Sequence, residues 1–420
     1  MLAPTAGALC KTTRFKLATF MKTASPIPTS SGRIRDPRLD FYRGIAMLII
    51  FTSHAPNNYW GDWIPGRFGF SDATEIFVFC SGMASAIAFG TSYDRSGWVL
   101  GTARVFFRCW QVYWAHIALF FALLFMVISL DAIGFEKRYV NSLALQVFLQ
   151  NADEGVFGLL TLTYVPNYFD ILPMYIVILL MMPVVMALSY VRIELVFVFM
   201  ALLWFMGQTR LLQSMGLERI TIGLPASFTN DRQWFFNPFA WQLVFFTGFA
   251  LVRGWIPRPP VNAVFVTLAL LATIGFMSLS HVAIREWGFG WAADWRSANA
   301  AWISKTDIGL VRYIHFLCVA YLAYAFAGEG GRFLIIAGRN VVTRFFKGLV
   351  TLLTKVGQQS LAVFIVSMML SIFVGFILDQ TGAGAWPVAL CNILGWGFLV
   401  WIAYAAAWFK SQPWRKAVVK

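Results

Sequence analysis

Charge is what this chain has least of. Only 12% of its 420 residues are charged, about half of the roughly 25% found in an average globular chain. A soluble protein of this length needs more polar surface than that, so the shortage excludes a soluble enzyme. The 59% of hydrophobic residues excludes a disordered chain, whose composition is poor in apolar side chains. Cysteine is also scarce. Cys10, Cys80, Cys109, Cys318 and Cys391 are too sparse for a disulfide scaffold and show no metal-ligand spacing. They fall mostly in apolar runs, where a thiol behaves as a small hydrophobe. No other cluster has metal-ligand spacing, so no metal is expected. There is no Gly-x4-Gly-Lys-Ser/Thr phosphate loop, and no loop long enough to fold as a nucleotide-driven motor or a soluble catalytic domain. Acids are the scarcer sign, 19 against 33 bases, for a net charge of +14. The bases are scattered between apolar runs rather than gathered in one domain. That argues against a nucleic-acid partner and for cytoplasmic loops of a membrane protein.

What the chain does have is apolar length. Its mean hydropathy is +0.68, with 41 Phe and 18 Trp. The apolar runs are continuous, whereas a membrane β-barrel would show short alternating segments. A helical crossing needs about 20 apolar residues. Ten runs are candidates, near 39–55, 72–91, 106–130, 171–190, 193–207, 237–254, 261–280, 308–328, 358–378 and 385–408; the first and fifth are short and would need extension or tilt. The expected fold is therefore all-α, a polytopic bundle of about ten transmembrane helices embedded among membrane lipids. The stretch 143–165, with LALQVFLQ and GVFGLLTLTY, reads either as an interfacial or re-entrant piece or as an extra crossing.

The basic residues set the orientation. With both termini in the cytoplasm, 22 of the 33 bases fall inside, nine outside, and Arg43 and Arg312 within crossings, while 14 of the 19 acids lie on the outer side or at its border. This alternation predicts an N-in, C-in topology. Residues 1–38 read as a disordered basic cytoplasmic tail, 39–408 as the membrane domain and 409–420 as a second basic tail. No short apolar core precedes a small-residue cleavage site, so no cleaved signal peptide is expected. Met21 is an alternative start.

Ionisable groups inside crossings are costly and mark candidate function. The first run, RLDFYRGIAMLIIFTSHAP, places Arg43 and His54 eleven residues apart. That is about three turns, or roughly 16 Å, on one helix face. Asp40 lies one turn before Arg43. Two readings stand here: interfacial anchors with a capping histidine, or a reactive set. The second run opens SDATEIFVF, with Asp72 and Glu75 one turn apart. A short loop brings them within reach of His54. A carboxylate that orients an imidazole, and an imidazole that takes a proton from a hydroxyl, suit acyl transfer. A helix N-cap with a favourable dipole contact is the other reading of the two acids, and the two are compatible.

The third run begins ARVFFRCWQVYWAHI. Arg104 and Arg108 serve either as positive flanking residues or as a phosphate clamp. His116 lies deeper and reads more readily as a core histidine than as a catalytic one. Arg312 and His315 share a face of the eighth run. Trp287, Trp291, Trp295 and Trp302 crowd the loop before it, suited to a sugar ring or to an interfacial belt. Asn237, Trp241 and Gln242 stand at the entry of the sixth run as acceptor contacts or core polar groups.

The runs RDPRLDFYRGIAMLIIFTSHAPNNYW and FGFSDATEIFVFCSGMASAIAFG resemble the OpgC family, membrane proteins linked to succinylation of osmoregulated periplasmic glucans. RVFFRCWQVYWAHI, FNPFAWQLVFFTG, LVRYIHFLCVAYL and GQQSLAVF are similar to later blocks of that family, so the resemblance covers about residues 36–408. The family in turn resembles the wider membrane acyltransferase-3 group. That group's Arg-x10-His element falls on Arg43 and His54. Its aromatic-x-x-Ser-Gly element falls loosely on Phe79 through Gly82, with one residue, Cys80, between Phe79 and Ser81. Its paired bases fall on Arg104 and Arg108. In the stretch where the group usually has an Arg-Arg pair and a Pro, this chain has Val105 and Gln111.

The resemblance implies a multi-pass protein of the bacterial inner membrane with no permanently bound cofactor. Acyl-CoA, in particular succinyl-CoA, would be the co-substrate and a periplasmic glucan the acceptor. It further implies His54 as base or acyl carrier, oriented by Asp72 or Glu75, and Arg43, Arg104 and Arg108 as donor contacts. A transporter or flippase for a polysaccharide is the competing class. Pro173 and Pro183 supply helix breaks for it, but no internal repeat accompanies them. A helper subunit of a polysaccharide machine is a third reading.

Overall fold

The computed structural model describes residues 36–134 and 139–418. The N-terminal tail up to residue 35, with Cys10 and the alternative start at Met21, lies outside the described residues, as do Lys137 and Arg138. Each of the ten apolar runs folds as helix, and the described residues contain no strand, only an isolated bridge between Pro225 and Gln233.

Helix α1 (Pro37–His54) fills the first run. Helix α2 (Ala73–Ser85) continues through a π-helical turn (Ala86–Gly90) into α3 (Thr91–Ile133). As one straight rod this 61-residue stretch would rise about 90 Å, three bilayer cores. The backbone leaves helical geometry at Gly97, where φ is 77°, so the stretch divides there as the two expected runs do.

The stretch 143–165 is broken into pieces. Helices α4 (Tyr139–Ser142), α5 (Gln146–Gln150) and α6 (Ala152–Thr161) are separated at the left-handed Ala144 and at Asn151, and the left-handed Leu162 ends the last of them, with φ 59° at both left-handed residues. The longest piece has ten residues and rises about 15 Å, half of a bilayer core. No single helix in this stretch crosses.

Helices α7 (Ile171–Val191), α8 (Ile193–Met206), α9 (Thr209–Ser214) and α10 (Pro238–Arg253) follow. Then come α11 (Ala263–Met277), α12 (His281–Arg285), α13 (Gly290–Ala298) and α14 (Leu310–Ala327). The last three are α15 (Val341–Gln358), α16 (Ser360–Thr381) and α17 (Ala385–Ser411). Five segments are long and apolar enough to cross a membrane: Ala73–Ile133, Ile171–Val191, Leu310–Ala327, Ser360–Thr381 and Ala385–Arg415. Helices α8, α10 and α11 are apolar but shorter.

Helix α15 was not expected. The basic spacing of residues 332–355 reads as a cytoplasmic loop, but Asn340 caps a regular helix there by accepting from the Thr343 amide at 2.8 Å. Val341, Val342, Phe345, Phe346 and Leu349 leave an exposed apolar stripe on it. The alternation of that stripe with Arg344 and Lys347 follows the helical period, which a search for continuous apolar runs does not detect.

Lipid tails give helices no hydrophobic reason to associate, so close packing has to hold them. Two glycine pairs permit it. A Cβ at Gly44 of α1 would fall on the Leu353 carbonyl of α15, and one at Gly357 on the Asp40 carbonyl of α1. Likewise a Cβ at Gly82 of α2 would meet the Phe245 carbonyl of α10, and one at Gly248 the Phe79 carbonyl. Around these crossings Phe51, Phe245, Phe246, Phe249 and Trp241 are fully buried. Phe106, Phe107, Phe125, Leu271 and Trp401 stay exposed, an apolar exterior that only a bilayer makes favourable.

Replacing Gly357 by Val should therefore destabilise the bundle by about 2 kcal/mol or more, since rigid backbone must move. Gly275→Ala, where a Cβ meets nothing within 4 Å, should leave the thermal midpoint in detergent unchanged or slightly raised. Equal melting of the two variants would remove the crossing as the cause.

Candidate active site

The C-terminal end of α1, the N-terminal end of α2 and the N-terminal end of α14 carry a set of ionisable side chains. His54 closes α1, and its Nδ1 lies 2.7 Å from the Ile50 carbonyl oxygen, one turn back in the same helix. A carbonyl only accepts, so Nδ1 carries the hydrogen and Nε2 of the neutral ring keeps a lone pair. Ser53 Oγ is 3.2 Å from the same Nδ1, and the Tyr168 ring packs edge-on at 5.2 Å. Just past α1, Asn58 and Asn392 of α17 exchange amide hydrogen bonds of 2.9 and 3.0 Å. Asn58 also donates to the Thr52 carbonyl. This pair fixes the end of α1, and therefore His54, to α17.

Asp72 is the N-cap of α2. Its Oδ1 accepts from the Thr74 amide at 2.7 Å, and Glu75 Oε2 accepts from the Asp72 amide at 2.8 Å. These bonds make a reciprocal capping box. The other oxygens of both acids go to cations. Lys305 Nζ donates to Asp72 Oδ2 at 2.6 Å, and Arg312 Nε donates to Glu75 Oε1. Arg312 Nη2 also lies 3.7 Å from Asp72 Oδ2. The result is a chain of four charges, Lys305–Asp72–Arg312–Glu75.

This arrangement corrects one expectation. Neither Asp72 nor Glu75 hydrogen-bonds His54; the backbone of α1 orients that ring instead. A buried carboxylate gains more from a cation than from a neutral imidazole, and both acids have one. Lys305 and Asp72 do stand near enough for their charges to act on the His54 ring.

Arg312 and His315 share a face of α14 but reach different partners. His315 Nδ1 accepts from the Ser71 amide at 3.2 Å and lies 2.8 Å from Ser71 Oγ. Its hydrogen therefore sits on Nε2, the opposite tautomer to His54, and its accepting nitrogen is already occupied. Phe70 and Phe276 pack edge-on against it.

Lys305 was missed as a candidate because it lies in a loop between apolar runs, with no periodicity to mark it. The structure shows how that loop is held. Trp241 Nε1 donates to the Lys305 carbonyl at 3.0 Å, and the Asn237 amide to the Thr306 carbonyl at 3.1 Å. Gln208 Nε2 donates to the Asp307 carbonyl, and Thr209 Oγ1 to both Asp307 carboxylate oxygens at 3.0 Å. Burial pushes the Asp307 carboxyl above its usual range despite these bonds. Asn237 and Trp241, candidates for acceptor contact, thus hold the Lys305 loop. Gln242 donates to the Met200 carbonyl at 2.8 Å and ties α10 to α8.

The remaining candidates lie elsewhere. Asp40 and Arg43 form a buried ion pair of 2.6 Å at the start of α1. Arg104 donates to Ser92 Oγ and lies over the Phe89 ring, while Arg108 reaches Gln111 Oε1 at 3.2 Å. The two arginines are thus held by different partners. His116 is buried beside Phe169, and neither ring nitrogen has a hydrogen-bond partner among the described residues. No group of His, Cys, Asp and Glu among the described residues is arranged to hold a metal ion.

A family model described as OpgC protein matches residues 35–411. No curated protein and no solved structure matches the chain.

The four-charge chain yields a stability prediction. Glu75→Ala leaves Arg312 buried without its closest carboxylate and should cost about 3–5 kcal/mol, seen as a lower thermal midpoint in detergent. Replacing both partners, Glu75→Met with Arg312→Met, should recover most of that loss, because a well-packed apolar pair avoids the desolvation cost.

Proposed function

The chain belongs to the OpgC family, and from that premise we propose that it is a membrane-embedded O-acyltransferase. It takes an acyl group, succinyl in this reading, from cytoplasmic acyl-CoA and transfers it to a hydroxyl of a periplasmic glucan. Ten crossings with both termini inside put Arg43, Arg104 and Arg108 toward the cytoplasm and His54 toward the periplasm. The sorting of bases and acids along the chain supports that orientation.

One observation carries the reading. His54 is the single histidine of this site whose accepting nitrogen is free among the described residues: its Nδ1 hydrogen goes to the Ile50 carbonyl, while the corresponding nitrogen of His315 is occupied by Ser71. His54 Nε2 removes the proton of the sugar hydroxyl as that oxygen attacks the thioester carbonyl. The carbon–sulfur bond breaks, and the departing thiolate receives the proton, giving an ester and free coenzyme A. Asp72 and Glu75 act one step removed, holding Lys305 and the start of α14 in place. Arg43, paired with Asp40, orders the donor end of α1.

His54→Ala should lower the ester content of extracted glucans at least about 100-fold, read by mass spectrometry with membrane insertion of the variant verified. Unchanged acyl content would remove His54 as the base. Glucans of unchanged chemistry but altered location in a strain lacking the protein would point to transport instead.

A further inference from the structure

Helix α15 divides in two by what its side chains touch. Its last turns are docked. Val356 and Gly357 are buried, Gly357 packs on the Asp40 carbonyl of α1, and the Leu353 carbonyl packs on Gly44. Lys355 lies over the Tyr404 ring of α17 at 5.5 Å. The first half is not docked: from Val341 to Leu349 every residue but Thr343 is exposed, Val341 at 81% and Phe345 at 65%. The segment leading into the helix is tied to the same end of α1. Arg38 Nη1 donates to the Gly328 carbonyl at 3.1 Å, and Gly331 packs on Pro37 and Arg38. The chain therefore leaves the start of α1 near residue 331 and returns to it at residue 357, with an unpacked helix half between.

That half is sharply two-sided. At about 100° per residue, the exposed Val341, Val342, Phe345, Phe346, Leu349 and Leu352 fall on one half of the circumference. Thr343, Arg344, Lys347, Thr351 and Lys355 fall on the other. A helix entering the bilayer beside α1 would carry Arg344 and Lys347 into lipid, which is costly. Lying in the plane of the membrane surface, the same helix puts its apolar side against the acyl chains and its bases among the headgroups. The charge pattern narrows the partner further. Residues 330–378 hold five bases, Arg332, Arg339, Arg344, Lys347 and Lys355, and no acid. A second copy seated on this helix through its own α15 would set bases against bases. A bilayer surface carrying negative headgroups complements both sides at once.

We propose that the first half of α15 is an interfacial anchor that takes anionic phospholipid headgroups on Arg339, Arg344 and Lys347. Phe345 and Phe346 seat it in the acyl boundary. The docked half crosses α1 at Gly44 and Gly357, so lipid that holds the free half also steadies the start of α1. The site does not rest on the acyl-transfer reading. The N-in orientation proposed above assigns it to the cytoplasmic leaflet.

The test places the full chain in nanodiscs of phosphatidylcholine with or without phosphatidylglycerol and reads the thermal midpoint. Phosphatidylglycerol should raise the midpoint by about 2 °C or more, and salt at about 1 M should remove most of that rise. Arg344→Gln with Lys347→Gln should abolish the rise while leaving the midpoint in pure phosphatidylcholine unchanged. Arg192→Gln with Arg258→Gln removes the same charge from exposed positions outside α15 and should keep the rise. Equal loss in the two double variants would assign the effect to net charge and overturn the site, as would the absence of any rise in the unsubstituted chain. Particle mass is read on the same samples. Two copies per disc, reduced to one by Phe345→Ser with Phe346→Ser, would overturn the proposal in favour of a contact between copies; one copy per disc in both supports it.

Discussion

A charge inside an apolar bundle must find its opposite, because an isolated buried ion costs several kcal/mol after every relaxation the protein can make. The chain Lys305–Asp72–Arg312–Glu75 is where this requirement organises the molecule. It links α2 to α14 and to the loop preceding α14, more than two hundred residues further along the chain. Through the capping box, the same two acids also satisfy the free amides at the start of α2. One set of carboxylates thus ends a helix, fixes a distant loop and places a lysine near the His54 ring.

Close backbone packing does the complementary work. Where no charges meet, glycines let helices approach until carbonyls of one lie against the other, as at Gly44 with Gly357 and Gly82 with Gly248. Both crossings involve the first two helices, which carry Arg43, His54, Asp72 and Glu75. The positions of these candidates therefore depend on small residues that have no chemistry of their own. The Asn58–Asn392 amide pair adds a polar bolt at the far end of α1, where a buried amide in the apolar α17 is retained because it is fully hydrogen-bonded.

Opposite tautomers separate His54 from His315. The backbone decides both cases. A carbonyl below His54 demands a donor and leaves an acceptor nitrogen facing away, while an amide at Ser71 demands an acceptor and uses up the nitrogen of His315. Side-chain identity alone does not distinguish them; the surrounding main chain does.

Much of this protein was legible in its composition and periodicity. Scarce charge and continuous apolar runs suffice for an all-helical membrane protein, and each of the ten runs is a helix because hydrophobic length acts locally along the chain. The pairing of Asp40 with Arg43 and the cap at Asp72 were legible for the same reason, as both involve residues one turn apart. Helix α15 escaped a search for continuous apolar length, since its apolar residues alternate with bases. The partners of Asp72 and Glu75 and the placing of the loop bearing Lys305 came only with the tertiary structure. Such contacts join residues hundreds of positions apart, and which charges meet is set by how the helices cross, a choice that local spacing does not encode.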